Sequence, residues 1–168
     1  MRYEPVNGGR AGRVRLRHVG GVPVSAAALS FIVNGTPAPQ GSKRHVGRGI
    51  MVEANKALPS WRADVIAAAV EAMRHWTGPF PLDGPLTLEV SFSFPMPASR
   101  PKKVRELGRC PKVTAPDTDK LVRAIGDALT QAGAIVDDAR IFTVIADKWE
   151  TTGTAGCGIS VLRYGATS

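Results

Sequence analysis

Four segments of the chain have the residue pattern of β-strands. The clearest is residues 86–94, where Leu, Val and Phe at the even positions alternate with Thr, Glu and Ser at the odd positions. This period of two predicts a strand with one buried face. Shorter β-branched and aromatic runs predict further strands at residues 30–34, 141–149 and 158–164.

Two longer segments have the spacing of amphipathic helices. The first follows Ser60, a good capping residue, and its buried face comprises Trp61, Val65, Ala69, Met73 and Trp76. The second runs from Pro116 to Gly133, with Leu121, Ile125 and Leu129 on its buried face. Together these elements predict an α/β protein of the α+β kind, one compact domain with a small mixed sheet and two main helices.

The chain is long enough for one domain with a sizeable core, because it has 168 residues of which 43% are hydrophobic. Residues 1–29 hold five Arg, one Glu and five Gly without a helical or strand period, which predicts a basic, flexible tail. An upstream start codon or a cloning remnant would account for this segment equally well. We therefore place the folded domain at residues 30–168.

Charge and cysteine content narrow the function classes. The formal net charge is +8, which favours polyanionic partners such as nucleic acid, although many small basic proteins bind none. The two cysteines stand far apart outside any metal-binding spacing, so we expect neither a zinc site nor a disulfide framework. No apolar run reaches the length of a membrane helix and no export signal is evident, which favours the cytoplasm.

Two basic segments are candidates for contact with DNA phosphates. The first is the Gly- and Pro-rich loop at residues 37–49, and the second is the segment at residues 99–112. A solvated loop is the alternative for each. The candidate DNA-binding residues are Lys43, Arg44, Arg48, Arg100, Lys102, Lys103, Arg105 and, on a later strand, Lys148.

Three carboxylates form the most informative pattern in the chain. Asp117 and Asp119 stand two residues apart where an extended segment meets the second helix, and Asp138 follows nineteen residues after Asp119. One helix and a turn can bring the chain back to its starting point, so the three can share a site. Each one taken alone is also explained as a helix cap or a turn residue.

Clustered carboxylates repel one another unless a cation offsets their charge. Hard oxygen ligands suit Mg²⁺, for which Mn²⁺ can substitute, and Mg²⁺ also binds phosphate oxygens. Such a metal activates water and stabilises the charge that develops during phosphodiester hydrolysis. Lys120 and Arg123 are candidate catalytic cations beside the carboxylates.

The stretch from Pro116 to Arg140, with Asp-Thr-Asp-Lys-Leu, Asp-Ala-Leu, Gly and Val-Asp-Asp-Ala-Arg at their spacings, resembles the RusA family of Holliday junction resolvases, common in phages and prophages. The resemblance extends over about residues 30–164. It implies an α/β homodimer that binds branched DNA and cuts four-way junctions with Mg²⁺ in the bacterial cytoplasm. The catalytic and metal-binding carboxylates it implies are Asp117, Asp119 and Asp138, the last chosen over Asp137 by position in the family pattern.

One position departs from the family pattern. The catalytic lysine that the resemblance implies falls on Arg123, and Lys120 stands where the best-known member has Asn. Arginine keeps its charge but donates a proton less readily than lysine, so either residue is a candidate for the role.

The leading hypothesis is therefore a junction-resolving endonuclease of DNA recombination and repair. One alternative is a nuclease for other branched or duplex phage DNA, and another is a non-catalytic DNA-binding accessory protein. A binding protein has no use for three acidic residues inside a basic surface, where they repel phosphate. The sequence does not choose between the two nuclease hypotheses.

Overall fold

The computed structural model describes residues 24–41, 43–45, 51–53, 55–76 and 78–164. In chain order the elements are β1 (Val24–Asn34), β2 (Lys43–His45), β3 (Met51–Glu53), α1 (Leu58–Arg74), β4 (Leu86–Pro95), α2 (Lys102–Glu106), β5 (Arg109–Pro111), α3 (Thr118–Gln131), a 3-10 turn (Asp138–Arg140), β6 (Ile141–Thr151) and β7 (Gly156–Tyr164).

Five of the strands form a mixed sheet in the order β1-β7-β4-β6-β5, and β2 pairs with β3 in a separate hairpin. β4 and β6 are parallel, whereas the other neighbouring pairs of the large sheet are antiparallel. The predicted α+β fold with a small mixed sheet is confirmed, and α1 and α3 are its two long helices. Within the described ranges, no helix is long and apolar enough to span a membrane.

β4 is the central strand, and its predicted alternation is confirmed. Its even-numbered apolar side chains from Leu86 to Phe94 are buried, and the intervening ones are partly exposed. Side chains of α1 and α3, such as Val65 and Ile125, belong to the same buried cluster as Leu88. Removing an aliphatic or aromatic side chain of this size from water contributes about 1.5–3 kcal/mol, so the buried face of β4 holds both helices on one side of the sheet.

The first helix begins three residues earlier and ends two residues earlier than the sequence predicts, at Leu58–Arg74. Ser60 is therefore not its cap. The N-cap position is Ala57, whose backbone N–H donates to Asn55 Oδ1 at 3.1 Å. Trp76 lies beyond the helix with 41% of its surface exposed, so its predicted place on the buried face is wrong. The backbone leaves the helix before Trp76 can complete the apolar stripe.

The first strand also begins earlier than predicted. β1 starts at Val24, six residues before the predicted domain start at Ser30, and its pairing with β7 runs from Val24 opposite Tyr164 to Asn34 opposite Gly156. Residues 24–29 of the predicted tail therefore belong to the sheet. The remainder of that tail, residues 1–23, lies outside the described residues.

Glu150 on β6 is the one fully buried charged side chain in the described part of the chain, with 1% of its surface exposed. Arg100 donates to both of its carboxylate oxygens, through Nε at 2.6 Å and Nη2 at 2.8 Å. Lys112 Nζ lies 3.8 Å from Glu150 Oε1. The pKa of Glu150 is lowered mainly by the hydrogen bond from Arg100, and burial opposes part of that effect. This carboxylate therefore ties the segments before α2 and after β5 to β6.

Replacing Glu150 with Gln should destabilise the protein by about 3 kcal/mol, because it leaves the Arg100 guanidinium without its counter-charge. The free energy of unfolding in urea measures this at pH 7. The control is Glu106→Gln, since Glu106 is exposed and lies 3.9 Å from Lys102, and it should change stability by less than about 0.5 kcal/mol.

The difference between wild type and Glu150→Gln should depend on pH with a definite sign. A carboxylate whose folded-state pKa lies below its ordinary value of 4.5 contributes its stability fully above that value, and the contribution is lost as the pH falls through the folded-state pKa. The stability difference should therefore be constant from pH 6 to 8 and shrink below about pH 4.5. A difference that grew on acidification would contradict an ionised Glu150.

Candidate active site

The loop between β5 and α3 brings two of the predicted carboxylates to the start of the helix. Asp117 occupies the N-cap position with an extended backbone (φ −67°, ψ 139°), but its side chain makes no capping hydrogen bond. Its Oδ2 instead lies 3.0 Å from Lys120 Nζ, and both side chains are exposed. Asp119 lies in the first helical turn, where the helix dipole favours negative charge. The side chain of Asp117 is therefore paired with Lys120 and does not cap the helix.

Contacts from two other elements hold this turn in place. Lys148 Nζ, on β6, donates to the backbone oxygens of Pro116 at 2.7 Å and Thr114 at 3.1 Å. The backbone N–H of Gln40, in the segment after β1, donates to the backbone oxygen of Lys120 at 3.0 Å. The start of α3 is thus tied to the sheet on one side and to the segment after β1 on the other.

The structure distinguishes the two adjacent aspartates before β6. Asp137 caps the 3-10 turn, since its Oδ1 accepts from the backbone N–H of Ala139 at 2.8 Å. Asp138 is the first residue of that turn and is exposed, and its Cβ lies 3.4 Å from where a Cβ on Gly126 would stand. Asp137 therefore has a structural role in the turn, and Asp138 lies directly against α3.

One face of α3 connects the two parts of the candidate site. Asp119, Arg123 and Gly126 recur at i, i+4 and i+7, so they lie along the same side of the helix. Within the described ranges, Asp119, Arg123 and Asp138 have no ion-pair or hydrogen-bond partner for their side chains. Gly126 lies seven residues after Asp119 on the helix, a rise of about 10 Å. Asp138, which lies against Gly126, is therefore about 10 Å from Asp119 along the helix axis.

The three predicted carboxylates do not form a closed metal-binding cluster. In the part of the chain that the structure describes, no three His, Cys, Asp or Glu side chains come together in a group that could enclose a metal ion. Asp117 and Asp119 are adjacent at the helix start, and Asp138 lies farther along the same helix. The arrangement is an open row of acidic and basic side chains on an exposed helix face.

The predicted DNA-binding residues fall into distinct groups. Lys102, Lys103 and Arg105 are exposed on α2, whereas the guanidinium of Arg100 is bound to Glu150. Lys148 donates to backbone oxygens, as described above. Lys43 and Arg44 belong to β2, and Arg48 lies outside the described residues.

Asp127, which the sequence pattern places on a polar face away from the site, pairs with Arg62 of α1. The distance between Arg62 Nη2 and Asp127 Oδ2 is 3.2 Å, and both side chains are partly buried. This ion pair joins the two long helices, which accounts for Asp127 without a catalytic role.

Sequence reasoning did not find several residues that shape the site. Glu150, Gln40 and Gly126 act through neighbours that are far away in sequence, so no local pattern marks them. Glu150 has a weak signal, since a carboxylate at the end of an otherwise half-buried strand requires a cation. Lys148 is a predicted DNA-binding residue, and no local pattern indicates its hydrogen bonds to backbone oxygens of the loop before α3.

The chain was also compared with known proteins. The family model described as Endodeoxyribonuclease RusA matches residues 34–161, which include α1, α3 and all three candidate carboxylates. No curated protein matches the chain. The matched range covers most of the chain and includes Asp119, Arg123 and Asp138. The chain therefore belongs to the RusA endodeoxyribonuclease family.

Proposed function

We propose that this protein is a Mg²⁺-dependent endonuclease that resolves four-way DNA junctions by paired symmetric nicks, and that it acts as a homodimer. Asp117, Asp119 and Asp138 are the carboxylates of the site, and Lys120 and Arg123 are its cations. Membership of an endodeoxyribonuclease family supports hydrolysis of DNA. The junction substrate, the metal and the dimer are the parts that the proposal adds.

The observation that carries the proposal is the row of unpaired side chains along α3. The side chains of Asp119, Arg123 and the neighbouring Asp138 are exposed and make no ion pair or hydrogen bond in the described residues, whereas those of the nearby Asp127 and Asp137 do. Their charged groups are therefore available to a ligand. The exposed lysines and arginine of α2 and the net charge of +8 support DNA as the substrate.

The donor set fits Mg²⁺. Exposed aspartates present hard oxygen ligands and leave room for water, and Mg²⁺ is commonly bound through one or two carboxylates together with substrate phosphates. Asp117 and Asp119 would hold the ion, with Asp138 facing the same helix side. When bound, Mg²⁺ activates water and stabilises charge on the phosphorus centre and the leaving oxygen.

The side chains of the chain itself then have separate tasks. Lys120 Nζ lies 3.0 Å from Asp117 Oδ2 and orients that carboxylate. Arg123 is exposed one turn after Asp119, so its guanidinium can bind a phosphate oxygen through two donors. We therefore assign orientation of the metal ligand to Lys120 and stabilisation of phosphate charge to Arg123.

The free edge of β6 supports the homodimer. In the described ranges, residues 141–147 of β6 pair with β4 alone, because β5 pairs only with the last three residues of the strand and one further bond, from Lys112 N–H, reaches Lys148 O. This edge exposes Phe142, Val144 and Ile145, at 66%, 46% and 42%. An apolar edge with unpaired backbone groups favours association with a second strand. A two-fold dimer presents two equivalent sites to a junction, as symmetric nicking requires.

The proposed function is tested by cleavage of a four-way junction, a replication fork and a linear duplex of matched sequence, each with Mg²⁺ and with EDTA. We expect cutting of the junction only, with Mg²⁺ only, and with nicks at symmetric positions. Equal cutting of fork and duplex would favour the alternative nuclease. Asp119→Asn should lower the rate at least about 100-fold with junction affinity unchanged or tighter, because it removes negative charge beside phosphate.

The two adjacent aspartates before β6 provide a matched pair of variants. Asp138→Asn should lower junction cleavage at least about 100-fold with little effect on unfolding. Asp137→Ala should cost about 1 kcal/mol of stability through the weakened turn and keep most of the activity. Rates measured with saturating junction and melting temperatures separate the two roles. If the Asp137 variant lost cleavage and Asp138→Asn kept it, Asp137 would be the third carboxylate of the site.

A charge placed on the free edge of β6 should dissociate the dimer. Ile145→Glu places two carboxylates in a two-fold interface, and we expect the dimer dissociation constant to rise at least about tenfold, as measured by analytical ultracentrifugation. The control is Ile32→Glu, at a more exposed apolar position (73% against 42% for Ile145) on β1, the strand at the opposite edge of the sheet. Dissociation by the control variant instead would place the interface at β1.

A further inference from the structure

The peptide segment that enters α3 is fixed by a side chain from the sheet. Lys148 stands opposite Phe92 of β4. Phe92 belongs to the buried cluster that contains side chains of α1 and α3, so Lys148 lies on the helix-bearing face of the sheet. From there its ammonium group reaches the loop and donates to Pro116 O at 2.7 Å and to Thr114 O at 3.1 Å. Both bonds come from a charged donor, which makes them stronger than ordinary neutral bonds.

The contact with Pro116 acts directly on the first candidate metal ligand. The carbonyl of Pro116 belongs to the peptide unit whose nitrogen is that of Asp117, so fixing this oxygen fixes the backbone from which the carboxylate projects. On the far side, the backbone N–H of Leu121 donates to Asp117 O at 3.2 Å and closes the first helical turn. Asp117 therefore has a restrained peptide unit on each side.

The same strand residue holds the start of the loop as well. The backbone N–H of Lys112 donates to Lys148 O at 2.9 Å, which continues the pairing of β5 with β6 by one further bond. Lys148 thus contacts the loop at its beginning, through its own carbonyl, and at its end, through its ammonium group. The loop of residues 112–117 is held at both ends by one residue of β6.

We propose that Lys148 is the positioning residue of this site: it sets the place of Asp117 through the carbonyl of Pro116 and does not bind DNA phosphate. This rests on the proposed function only in taking Asp117 as a metal ligand. A lysine whose donors are directed at backbone oxygens is poorly placed to bind a phosphate. Supporting contacts of this kind commonly change metal affinity by about 10- to 100-fold.

The test uses the full chain and the variant Lys148→Met, which keeps the apolar stem and removes the donors. Hydrogen–deuterium exchange should become about tenfold faster in residues 112–121 and stay unchanged in β4. The dissociation constant for Mn²⁺, measured by calorimetry without DNA, should rise about tenfold or more. Junction affinity in EDTA should change less than about twofold, with the same dependence on salt.

The matched control is Lys102→Met on α2, at a side chain that is 91% exposed. A phosphate-binding lysine should lower the slope of log affinity against log salt by about 1 when it is removed, and should leave exchange and Mn²⁺ binding unchanged. If Lys148→Met gave this second pattern, Lys148 would be a DNA ligand and the positioning role would be wrong. If Lys148→Met does not fold, Lys148→Arg is used, since it keeps the charge but changes the donor geometry. Faster exchange at residues 112–121 with weaker Mn²⁺ binding would support the positioning role, and unchanged values of both would overturn it.

The outcomes separate this inference from the proposed function. Wild-type protein that neither binds Mn²⁺ nor cuts a junction would overturn the proposed function, whatever the variants do. Unchanged exchange at residues 112–121 in Lys148→Met would overturn the positioning role, whether or not the wild type is a nuclease.

Discussion

The parallel pairing of β4 with β6 is the constraint on which the rest of the structure depends. Parallel neighbours cannot be joined by a tight turn and require a crossover of a dozen or more residues. In this chain α3 is the helix of that crossover, and it packs on the buried face of β4. The connection also contains α2 and β5, and within it Asp117 immediately precedes α3 while Asp138 lies in the turn that follows α3. The two parts of the candidate site therefore flank the long helix of the crossover.

Elements with a complete local pattern could be predicted from the sequence. β4 shows strict alternation and α3 shows apolar residues four apart, and both formed close to the predicted bounds because burial of one face decides their conformation. The aspartate pair at the start of α3 was also found, since its spacing and the helix start are both local signals. The family pattern added the third carboxylate.

Features that depend on distant partners could not be predicted. The basic segment predicts Arg100 as a DNA-binding residue, and no local pattern indicates its hydrogen bonds with Glu150, fifty residues away. The choice between Asp137 and Asp138 has no physical basis in sequence, whereas the structure shows that only Asp137 caps the turn. β1 begins before the predicted domain because its first residues are selected by pairing with β7 and not by their own composition.

Gly126 has a consequence for how the site could be altered. A Cβ at this position would stand 3.4 Å from Asp138 Cβ and 3.6 Å from Ile141 Cδ1, so alanine fits in ordinary van der Waals contact. The size of residue 126, which carries no charge, therefore sets the gap between the helix and the turn. Alanine at this position would leave the turn in place, whereas a larger side chain would press on Asp138 and Ile141 with every carboxylate retained. Comparing the two would separate the effect of spacing from the effect of ligand number.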